Sequence, residues 1–213
     1  MGPLRGEPAT DAATRLRRRG LRLEYLTIAW NVIEVFVTVG LGLAARSLAL
    51  VAFGLDSLVE VFASFVVVWH IADPSTEAAD PDRRTRRALL LVAAAFAVLG
   101  AYLLVASGHG LWTHQEADSS PAGIAYLGAT ALVMFTLSRL KRATGHAIAS
   151  EPLLAEASVT LLDACLATGI LTALALNTAF GWWWADPLAA AVVGVVALRE
   201  AGNSLRVSAR GPA

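Results

Sequence analysis

Cysteine is nearly absent: the single Cys165 in 213 residues excludes an intramolecular disulfide and any cysteine-based metal cluster. Glycine motifs that cradle phosphate are missing, and no serine or threonine has a histidine and a carboxylate in a readable arrangement. A covalent catalyst therefore finds no support. Net charge is lacking too, because 17 basic and 17 acidic residues cancel. Of the four histidines, His109, His114 and His146 lack metal-ligand spacing, and scattered histidines do not make a zinc site. What the chain has in excess is apolar sequence: 56% of its residues are hydrophobic, and they arrive in long runs. That composition argues against an ordinary soluble domain and predicts an all-α, polytopic membrane protein.

Six windows fit the roughly 17–25 residues a helix needs to cross the hydrocarbon core, at about 23–44, 48–71, 88–108, 122–138, 153–176 and 185–198. Basic residues orient them, since Lys and Arg in short loops mark the cytoplasmic side. Arg5, Arg15, Arg17, Arg18, Arg19 and Arg22 precede the first window; Arg83, Arg84, Arg86 and Arg87 follow the second. Arg139, Lys141 and Arg142 follow the fourth, and Arg199, Arg206 and Arg210 the sixth. Only Arg46 falls on the other side, so six spans with both termini cytoplasmic are expected. This basic face needs no nucleic acid as partner. Residues 1–20 are expected to be a mobile basic segment, 21–200 a single six-helix transmembrane domain, and 201–213 a short tail. Two Asp-Pro steps in DPSTEAADPDRRTRR, residues 73–87, are expected to end helix 2. Trp182, Trp183 and Trp184 fit an interfacial belt on the outer side. Small residues, Ala93, Ala94, Ala95 and Gly100 on helix 3 and Ala189, Ala190, Ala191 and Gly194 on helix 6, mark places where helices can approach closely.

Inside the apolar windows lie Glu34, Asp56, Glu60 and Asp163, with no Lys or Arg beside them in the sequence. A charge at the bilayer centre costs roughly 2.5–3.5 kcal/mol on insertion scales, so these groups are expected to face one another or water. On helix 1, Glu24, Thr27, Asn31, Glu34 and Thr38 are spaced 3, 4, 3 and 4 and share one face. On helix 2, Asp56 and Glu60 are four apart with Ser57 and Ser64 nearby; on helix 5, Glu156, Thr160 and Asp163 share a face. Clustered carboxylates without a counter-charge ask for a cation. An empty site of this kind is expected to hold protons, which an arriving metal ion expels, the physical basis of cation/proton exchange. The plain alternative is protonated carboxyl groups acting as hydrogen-bonded glue between helices. His70, on the face of Asp56 at the cytoplasmic end of helix 2, is a candidate proton relay, although an interfacial histidine is more often simply solvated. Cys165 should point away from the face of Asp163 and is read as packing, and Asp186-Pro187 as a helix start.

SLALVAFGLDSLVEVFAS, residues 47–64, resembles the second transmembrane helix of the cation diffusion facilitator, or cation efflux, family. The resemblance implies that Asp56 and Glu60 hold the two metal-binding positions four apart. EASVTLLDACLATG, residues 156–169, is similar to that family's fifth helix, and Asp163 stands at its second metal-binding position. The ADP at 185–187 resembles the start of the sixth. Two departures stand out. The family's first helix-5 ligand falls on Val159, which cannot bind metal, so Thr160, Glu156, Glu34 or Asn31 would have to complete the site. The sequence also stops short of the cytoplasmic carboxy-terminal domain typical of the family, so a short form lacking that domain is expected.

The expected function is a secondary transporter exporting a divalent metal cation of the Zn/Mn/Fe/Co class, by proton antiport through Asp56, Glu60 and Asp163, with Glu34, Asn31 and Glu156 as helpers. No permanently bound cofactor is expected, the metal being transported substrate. The family implies a homodimer, and the compact, Ala- and Arg-rich composition points to a bacterial plasma membrane. The alternatives are a non-transporting membrane scaffold derived from such a carrier, which Val159 favours, and an intramembrane aspartyl hydrolase.

Overall fold

The structure, a computed structural model, describes the backbone of residues 7–72, 81–148 and 151–210. Side chains are described within 15–62, 87–148 and 153–206, except at 17, 88, 89 and 155. Among the described residues six helices follow one another: α1 (Glu7–Ala44), α2 (Leu48–Ala72), α3 (Pro81–Trp112), α4 (Pro121–Ala147), α5 (Glu151–Phe180) and α6 (Ala185–Arg210). No strand occurs among the described residues. The protein is thus an all-α, polytopic membrane protein. Among the described residues five segments are long and apolar enough to span a bilayer: Arg18–Ala44, Leu90–Trp112, Pro121–Ala147, Glu156–Phe180 and Ala185–Arg206. The 25-residue α2 has the length for a sixth, but its described side chains stop at residue 62.

Several helices outrun their apolar windows, because backbone hydrogen bonding does not stop at the membrane surface. α1 begins at Glu7, so helical backbone runs through much of the segment expected to be mobile. The first Asp-Pro step, at 73–74, lies outside the described residues, whereas the second opens α3: Pro81 takes the first helical position, where a missing N–H costs nothing. α4 continues to Ala147, which puts Arg139, Lys141 and Arg142 on a helix rather than in a loop.

The chain forms two compact units. Residues 1–30 and 126–168 make the first, from the start of α1, most of α4 and the first half of α5. Leu23, Met134, Leu137 and Ala164 form its buried apolar cluster, with Trp30, Val133, Phe135 and Leu140 packed against it. Trp30 also stacks on Tyr126 at 6.1 Å and donates from its ring nitrogen to Thr130 Oγ1 at 3.3 Å.

Residues 31–125 and 169–213 make the second unit, in which α3 packs along α6 and α2 packs against both. Gly100 and Gly194 set the α3–α6 approach. A Cβ at Gly100 would lie 2.7 Å from the Gly194 carbonyl oxygen, closer than any side chain tolerates. These small residues are therefore used inside the chain. Three helix ends in this unit turn through the left-handed region, at Arg46 (φ 50), His114 (φ 53) and Gly181 (φ 66). After α1 the amide of Ser47 returns to Gly42 O at 2.9 Å and that of Arg46 to Leu43 O at 3.4 Å, closing the last turn as glycine usually does. Arg46 takes that position held by a two-pronged ion pair: its Nε and Nη2 each donate at 3.0 Å to Asp118, whose amide donates to Ala45 O at 2.7 Å. The guanidinium holds the Asp118 carboxyl below its ordinary range.

Candidate cation site

Three consecutive members of the α1 stripe, Asn31, Glu34 and Thr38, are buried, at 6%, 0% and 0% exposure. They face α2. Gly54 permits this contact, since a Cβ there would fall 2.5 Å from Thr38 Oγ1 and 2.7 Å from Val39 Cγ2. Thr38 donates back to Glu34 O at 2.6 Å, which leaves its hydroxyl satisfied within α1. Across the gap, Ser57 Oγ donates to Glu34 Oε1 at 2.7 Å, and Asn31 Nδ2 donates to Glu60 Oε2 at 3.0 Å. Asp56 is buried beside Ser57 in the sequence of α2. The second unit thus gathers Asn31, Glu34, Ser57 and Glu60 into one polar layer, with Asp56 buried on the same helix.

Two features of that layer bear on its chemistry. Ser57 has one hydroxyl proton but two acceptors in range, Glu34 Oε1 and Phe53 O at 3.0 Å. Both contacts are satisfied together when Glu34 is protonated and donates to Ser57, freeing the serine proton for Phe53. Asn31 Oδ1, meanwhile, is buried with no hydrogen-bond partner, a neutral oxygen donor left over after the amide nitrogen has been used.

Asp163 belongs to the first unit, on α5, where it is 5% exposed. Thr160 is buried on the same face, while Val159 is 43% exposed and so adds no donor to the interior. Glu156 was expected to help the ion site, but it has a basic neighbour that sequence order did not reveal. Lys141 Nζ lies 3.9 Å from Glu156 Oε2, donates to Glu24 Oε2 at 3.0 Å and to Thr160 Oγ1 at 3.1 Å, and is wholly buried. Read as a loop residue, Lys141 gave no sign of this; its place at the helical repeat after Ser138 was the only available cue.

Among the described residues, no three His, Cys, Asp or Glu side chains converge closely enough to hold a metal ion. The His70 side chain lies outside the described residues. His109, His114 and His146 are exposed, and His114 packs on Trp183 at 4.5 Å. Cys165 points away from the buried side of Asp163, as expected, but it is exposed rather than packed. Trp182 and Trp184 stack at 5.3 Å and are exposed, as an interfacial belt requires. Asp186 does more than start α6. It accepts from Ser47 Oγ and from the amides of Leu48 at 2.8 Å and Ala49 at 3.3 Å, capping α2 from another helix.

Residues 87–211 match the family of the cation efflux transmembrane domain. The chain belongs to the cation efflux family. Its members are metal cation transporters rather than enzymes, and this one is an integral, multi-pass membrane protein. The matched range holds Lys141, Glu156, Asp163 and Asp186; the α1–α2 layer lies before it. No curated protein matches the chain.

Proposed function

We propose that this cation efflux protein exports a divalent metal ion in exchange for protons, with Asp56, Glu60 and Asp163 as its principal ligands. The observation that carries the proposal is the α1–α2 layer. It sets the buried Glu34 against the Ser57 hydroxyl and the half-buried Glu60 against the Asn31 amide, with the buried Asp56 on the same helix. In this reading Glu34 stores a proton beside Ser57, and the unpartnered Asn31 Oδ1 adds a neutral oxygen to the same layer. An all-oxygen donor set suits Mg²⁺ or Mn²⁺ and also accepts Zn²⁺ or Fe²⁺. Binding displaces protons from the carboxyl groups; return of protons from the far side resets the site. Helix groups tilting about the ligands would give alternating access. In this reading His70, near the end of α2, relays those protons.

The test is influx of Zn²⁺, Mn²⁺, Fe²⁺ and Co²⁺ into liposomes with internal pH recorded, for the native chain, Asp56→Ala and Asp163→Ala. Metal uptake with opposing proton movement, abolished in both variants, is expected. A folded native protein that moves no metal would shift the reading to a non-transporting scaffold, the alternative that Val159 favours.

A further inference from the structure

A lysine near a helix end ordinarily extends its stem so that the ammonium reaches water. Lys141, the one lysine of the chain, turns inward instead and is wholly buried near the end of α4. Its donors reach two other helices of the first unit: Glu24 Oε2 on α1 at 3.0 Å and Thr160 Oγ1 on α5 at 3.1 Å, with Glu156 Oε2 of α5 at 3.9 Å. The Thr160 hydroxyl proton is already given to Glu156 O at 2.9 Å, so Thr160 meets the ammonium with a free lone pair. One turn earlier on α4, Ser138 Oγ donates to Ala157 O of α5 at 2.7 Å. Ser138 and Lys141 are thus matched against Ala157 and Thr160, the same step of three on each helix. The next step along that buried face of α5 is Asp163.

We propose that Lys141 is a positioning residue for ion transport: it grips α5 through Thr160 and so sets the height and rotation at which Asp163 is presented. Glu24 and Glu156 neutralise the buried ammonium, which allows a charged group to serve as the clamp. The inference rests on the reading of Asp163 as an ion ligand. It differs from a general packing role because the Thr160 contact can be removed without changing side-chain shape.

Mn²⁺ uptake into liposomes is measured for the native chain, Thr160→Val, Thr160→Ser and the double variant Lys141→Met/Glu24→Gln, which avoids leaving Glu24 uncompensated. Thr160→Val and the double variant are expected to raise KM for Mn²⁺ about 10-fold, the scale of lost support to a metal ligand, with the maximal rate held; Thr160→Ser keeps the native KM. A native KM in Thr160→Val, whatever its maximal rate, overturns the inference. If the native chain moves no ion, the transport reading fails by itself. Dicyclohexylcarbodiimide labelling of Asp163 then decides: a rate several-fold altered in Thr160→Val but not in Thr160→Ser supports the clamp, and equal rates overturn it.

Discussion

Asn31 carries two roles that a single amide can combine: its nitrogen holds Glu60 and its oxygen is left free in a buried place. Replacing it with Ala removes both. Support from such a neighbouring group is worth about 10–100-fold in metal affinity or activity, so Asn31→Ala should lower Mn²⁺ affinity by that factor while the protein stays folded. An unchanged affinity in a direct Mn²⁺ titration would remove Asn31 from the site. Glu34 was legible from the sequence as a stripe residue, and the structure adds its hydroxyl partner. Glu156 looked equivalent by spacing. Its neighbour Lys141 is remote in the chain, and no local pattern reports a contact between α4 and α5.

Helix ends as well as helix middles carry polar contacts in the second unit. Asp186 accepts from one hydroxyl and two amides at the start of α2. Asp186→Ala should destabilise the protein by about 1–3 kcal/mol, the scale of leaving buried donors without a partner, read as a lowered Tm in detergent. The turn after α1 makes a second, pH-dependent case. Because Arg46 depresses the Asp118 carboxyl, the folded state holds that proton less tightly than the unfolded chain. The stabilisation is therefore complete above the unfolded value, near 4 for an ordinary Asp, and is lost as pH falls through the lower folded value. Asp118→Asn should melt slightly below the native protein at pH 7, and the two Tm values should merge in strong acid. The effect is small because both groups are exposed to solvent. Arg46 had been legible only as the one basic residue on the wrong side; its left-handed backbone and its partner in the α3–α4 connection explain its presence.

At the scale of the whole molecule, six helices with basic residues clustered at alternate connections predict both termini on one face of the membrane. Tags at the two ends of the full chain should become accessible to an impermeant reagent from the same side of sealed vesicles; opposite sides would mean an odd number of spans. The sequence by itself determined the helical membrane class and the family, and it put Asn31, Glu34 and Thr38 on one face of α1, because apolar run length and a 3.6-residue period are properties of neighbours along the chain. Only the tertiary structure decided which polar groups meet. It set Ser57 against Glu34, Asn31 against Glu60 and Lys141 between Glu24 and Thr160, and it brought Asp186 to the start of α2. It also spent Gly100 and Gly194 on contact between α3 and α6. Those pairings join residues from 19 to 138 positions apart, and a buried polar group takes its partner from whichever helix packing brings within about 3 Å, a distance no sequence period encodes.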